Sequence, residues 1–168
     1  MKKLFVLPVL ALAACSNPHD DYVGFWKSDS AKRVIEISKE GKDTYLLDNN
    51  IFSETDRLGR PKASTVLEKK DDSTLAFNSG MMLMPYVLSE DKKTLRMSDK
   101  QYVKISEEEA NKMLTNFKQC KELRDQFKAE RKSFSVFASD DQQAKQDAIK
   151  EEYRKKQEAI PDCDVNIF

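Results

Sequence analysis

The chain has 168 residues, with 29 basic and 29 acidic side chains and a formal net charge of zero. That balance leaves no electrostatic case for nucleic acid, which needs a basic face to displace counterions. Charged residues make up 35% and hydrophobic ones 39%, enough for one domain, or a small domain with an appendage.

Residues 1–14 open with Lys2 and Lys3, continue through an apolar run at 4–12 interrupted by Pro8, and end on Ala13 and Ala14. The run is too short to cross a hydrocarbon layer as a helix, which takes about 20 residues. A basic start and small residues at the end mark a removable signal. Leu12-Ala13-Ala14-Cys15 resembles the lipobox of bacterial lipoproteins, with a plain signal peptide and an incidental cysteine as the rival reading. The resemblance implies cleavage before Cys15, diacylglycerol on its sulfur and a further palmitate-like chain on its new amino group. One acyl chain attaches a protein marginally and two attach it stably. Ser16 stands where lipoproteins kept in the inner membrane commonly carry Asp. The resemblance therefore implies a lipid anchor in the outer membrane, with the body facing the periplasm or the outside.

Loss of the signal removes Lys2 and Lys3 and no acid, so the mature chain carries a net charge of about −2. Residues 15–21 read as a lipidated tether, polar and without apolar period, in which His19 is expected to be solvated and inert. Residues 22–105 read as an antiparallel β-domain. Short strand-like runs at 34–37, 44–47, 65–67, 74–77, 81–88, 95–97 and 102–105 alternate with turn clusters such as Glu40-Gly41-Lys42-Asp43 and Asn78-Ser79-Gly80. Strands about every ten residues, with no helix-length segment between them, predict a meander closed or nearly closed into a small barrel. Gly24-Phe25-Trp26 is similar to the Gly-x-Trp of lipocalins and other calycins, which implies a Trp plugging one barrel end. A generic small sheet or barrel is the other reading.

Residues 81–88 are the most apolar stretch of the mature chain and predict a central strand buried on both faces, with Pro85 at a bulge or edge. Flexible Met side chains also suit a wall for variable apolar ligands. Trp26, Met81, Met82, Met84 and Tyr86 are accordingly the candidate ligand or partner surface.

Residues 106–168 change character. Ser106-Glu107-Glu108-Glu109 is a capping box, and Ala110, Met113, Leu114, Phe117, Cys120, Leu123 and Phe127 recur at three and four, predicting one helix to about Lys132. Ser139-Asp140-Asp141-Gln142 opens a second, ending near Ala159, with a thin apolar face of Ala144, Ala148, Ile149 and Tyr153. An antiparallel hairpin follows, with Val165, Ile167 and Phe168 as possible packing residues of the tail. Cys120 and Cys163 are left as a pair, and an oxidising compartment makes a disulfide their default. A redox pair or metal ligands are the rivals, without a Cys-x-x-Cys spacing or a histidine cluster behind them.

No Gly-x-Ser-x-Gly elbow, His-Glu-x-x-His motif or glycine-rich phosphate loop occurs, and His19 is the single histidine. The expectation is a non-enzyme with no cofactor and no metal. Its first functional reading is an envelope protein-interaction module of accessory, inhibitor or immunity type. A lipocalin-like carrier of a small apolar ligand comes second, and a carboxylate-based envelope hydrolase third.

Overall fold

The computed structural model describes residues 17–165 apart from Ala31, Arg57 and Val136. Cys15, Ile167 and Phe168 lie outside the described residues.

Eight antiparallel strands form a closed barrel in simple meander order: β1 (Gly24–Ser28), β2 (Val34–Glu40), β3 (Thr44–Asp48), β4 (Thr65–Lys69), β5 (Leu75–Asn78), β6 (Leu83–Leu88), β7 (Thr94–Met97) and β8 (Lys100–Ile105). Closure comes from β1 pairing with β8, with Trp26 opposite Lys104 and Phe25 opposite Ile105. Each predicted run overlaps a strand. Closing the sheet leaves no edge to template aggregation.

Alternation along each strand decides what fills the barrel. Trp26 pairs with Ile35, Leu75 with Tyr86, and Leu95 with both Leu88 and Tyr102, so these share the inward face. One buried cluster holds Tyr22, Trp26, Ile35, Ile37, Tyr45, Leu47, Leu67, Leu75, Tyr86, Leu95 and Tyr102. Eight strands enclose a space just wide enough for side chains to fill, and here bulky aromatics fill it.

The stretch at 81–88 departs from expectation. Met81 is 94% and Met82 62% exposed in the β5–β6 turn, and in the strand that follows only Tyr86 is buried. The reason is the period: inward Met84, Tyr86 and Leu88 alternate with outward Pro85 and Val87, so an apolar run does not make a two-sided core strand. Pro85 is tolerated because the β6–β7 ladder begins only at Val87.

Two helices follow, α1 (Glu107–Arg131) and α2 (Asp140–Glu158). The Glu109 amide donates to the Ser106 hydroxyl at the start of α1, and Gln142 reaches back to the Ser139 amide at the start of α2. With 25 residues α1 is about 37 Å long. Its first turns lie on the barrel wall, where Glu109 is 3.9 Å from Lys27 of β1. Val34 faces outward in register with Lys27 yet is fully buried on this side. Beyond the barrel, α1 supplies Cys120, Leu123 and Phe127 to a second core with Tyr153 of α2 and Val165. The predicted apolar stripe is thus shared between two partners. A Cys120–Cys163 disulfide closes this second core.

Candidate functional site

The alternating strands put the turns 41–43, 70–74 and 89–93 at one end of the barrel, with the start of β1. At the other lie 29–33, 49–64, 79–82 and 98–99. The two ends differ in kind.

The first end is sealed. A 3-10 helix, Pro18–Tyr22, lies across it, with the Asn17 side chain accepting from the His19 amide. The Asp20 carboxylate accepts from Lys39 Nζ at 2.6 Å and from the Tyr45 hydroxyl at 2.6 Å. Those donors hold its carboxyl below the ordinary range, the Lys39 hydrogen bond first and Tyr45 next. The Tyr22 hydroxyl donates to the Tyr86 carbonyl at 2.9 Å, and Trp26 Nε1 donates to the Tyr22 carbonyl at 2.9 Å. Burial pushes the Tyr22, Tyr45 and Tyr86 hydroxyls up, so all three stay protonated.

His19 overturns its expectation. It is buried, not solvated, with Nδ1 2.9 Å from Asn17 Oδ1 and Nε2 2.9 Å from the Asp71 carbonyl. A polar sequence without apolar period hid a segment whose order comes from hydrogen bonds to the barrel rather than from its own hydrophobic face. Gly24 has φ +132°, and Lys104 passes close beside it to reach the Asp21 carbonyl and the face of Trp26.

The other end carries the concave surface. Phe52, in the long β3–β4 loop, stacks on Phe117 of α1 with ring centroids 5.2 Å apart. This pair stands between two hollows. One, of about 1070 Å³, runs between residues 51–55 and the exposed face of α1 that carries Leu114, Lys118, Lys121 and Asp125. The other, of about 660 Å³, is bounded by Ser28, Lys32, Met113, Arg124 and Asp162. Lys32 Nζ donates to the Asp162 carbonyl at 3.1 Å, tying the hairpin's tail to the barrel.

The five candidate surface residues do not come together. Trp26 and Tyr86 are in the barrel core, Met84 is half-buried and inward, and Met81 and Met82 project from a turn. The aromatic pair at the hollows went unread for two reasons. Phe117 belongs to the helix stripe and so reads as core, and Phe52 sits in a loop without period. Acidic neighbours do occur on the outer wall: Glu36 is in register with Asp48, and burial followed by the Asp48 and Glu107 charges raises its pKa. Asp48 is bound by Lys62, and neither acid lines the two hollows. Compared with protein-family models, curated proteins and solved structures, the chain matches none.

Proposed function

We propose that the chain is a non-enzymatic lipoprotein of the bacterial outer membrane, facing the periplasm, whose hollows beside α1 grip another envelope protein. The observation that carries this is the distribution of space. Large side chains occupy the barrel interior, whereas the Phe52–Phe117 pair and its two hollows lie outside, between barrel and hairpin. Half-exposed aromatics beside mixed charge are what a protein partner buries, the rings giving area and the rim giving register. The lipobox at Cys15 supplies the address, and the disulfide suits an oxidising one.

The carrier reading draws on the same closed barrel, but a ligand inside would have to displace side chains from the buried cluster. The two readings separate by photo-crosslinking in whole cells. A crosslinker at Lys118 or Lys121 should yield one discrete protein adduct that a Phe117→Ser change weakens at least tenfold. The same probe at Lys155, on the solvated side of α2, should yield none. Identical adducts from all three sites would count against the interaction reading. So would no adduct at all together with a small apolar molecule retained in native mass spectrometry.

A further inference from the structure

We infer that the sealed end of the barrel lies flat against the headgroup layer of the membrane that holds Cys15, so that the hollows and the hairpin tip face away from it. This rests on the lipid-anchor reading above and adds an orientation to it.

Chain length sets this orientation. Asn17 already belongs to the folded body, since its side chain accepts from the His19 amide and lies 2.9 Å from His19 Nδ1. The 3-10 helix behind it is fastened around the barrel mouth. Asp20 binds Lys39 of β2 and Tyr45 of β3. His19 meets the Asp71 carbonyl in the β4–β5 turn, and Tyr22 meets the Tyr86 carbonyl of β6. Asp21 pairs with Lys92 in the β6–β7 turn at 2.8 Å, and its carbonyl accepts from Lys104 of β8. Only Ser16 separates this body from Cys15. Two extended residues span about 7 Å. A flexible leash of about 25 residues would instead roam about 25–30 Å. The anchor therefore emerges beside the sealed end and holds that end to the surface.

The surface suits contact without insertion. The turns 41–43, 70–74 and 89–93 contribute none of the exposed large apolar side chains, which include Leu58, Met81 and Met82 at the other end. Lys42, Lys70 and Lys93 stand one in each turn, within reach of lipid phosphates. Asp20, Asp21 and Asp43 are each paired with a lysine. Glu40, Asp71, Asp72, Glu90 and Asp91 outnumber the three turn lysines, so it is the leash, not net attraction, that seats this face.

The test uses the full lipidated protein in vesicles containing a headgroup nitroxide quencher, with an environment-sensitive dye at Lys42→Cys or Lys93→Cys (sealed end) and at Ser79→Cys or Asp99→Cys (opposite end). Far-UV circular dichroism checks that each labelled protein is folded. Sealed-end dyes should be quenched at least threefold more than the others, and a 20-residue Gly/Ser insert between Ser16 and Asn17 should abolish the difference. Equal quenching at both ends, with the protein sedimenting with the vesicles, overturns the orientation and leaves the anchor standing. Protein that stays in the supernatant overturns the anchor, and the orientation with it.

Discussion

A methyl group on Gly24 would lie 3.2 Å from Lys104 Cε, on a backbone with φ +132°. Gly24→Ala should therefore destabilise the barrel by about 1–2 kcal/mol, since the left-handed side of φ costs any L-residue about that much. Urea unfolding followed through Trp26, the one tryptophan, reads it directly. Asp20 ties a pH dependence to the same end. Its folded pKa lies below the ordinary 3.8, so its contribution is complete above that value and fades as pH falls through the folded one. Trp26 emission should shift below about pH 4, as the hydrogen bonds from Lys39 and Tyr45 lose their acceptor. Asp20→Asn should flatten that acid dependence and lower stability at neutral pH. An unchanged acid profile in the variant would show that another carboxylate governs it.

Among the elements, the hairpin depends most on covalent help. Its core is small, with Phe127 stacked obliquely on Tyr153 at 5.0 Å and a single residue of α2 buried. The disulfide closes a loop of 43 residues, worth about 4 kcal/mol by chain entropy. Replacing Cys120 and Cys163 together by Ala should lower the hairpin's stability by about that amount and reduce helical circular dichroism, while Trp26 emission holds. The sequence was legible where period and caps agree. Ser106 and Ser139 mark both helix starts, and the strand runs fall where the strands are. It was illegible where an apolar run concealed alternation, as at 81–88, or where order comes from scattered hydrogen bonds, as at His19. The Phe52–Phe117 contact was hidden for a third reason, because a 16-residue loop without period says nothing about which helix face it meets.

For the whole molecule, the number of strands points to closure, but no local signal fixes how β1 meets β8. The register across that seam joins residues almost eighty apart in sequence, and only the completed barrel brings them together. The proposed lipid anchor has no part in closing the barrel on this reading. A Cys15→Ala change should release the protein from outer membranes and leave both Trp26 emission and helical content as they were. Co-sedimentation of that variant with membranes would contradict the lipid anchor.

One continuous helix, α1, joins the outer barrel wall to the second core: Ala110 is buried at its start, on the barrel side, and Phe127 is buried in the hairpin. No glycine or proline interrupts it to act as a hinge. It behaves as a lever whose fulcrum is the Phe52–Phe117 contact. A sideways pull on the hairpin tip would arrive at the barrel wall as torque, because the helix between them has no joint in which to bend.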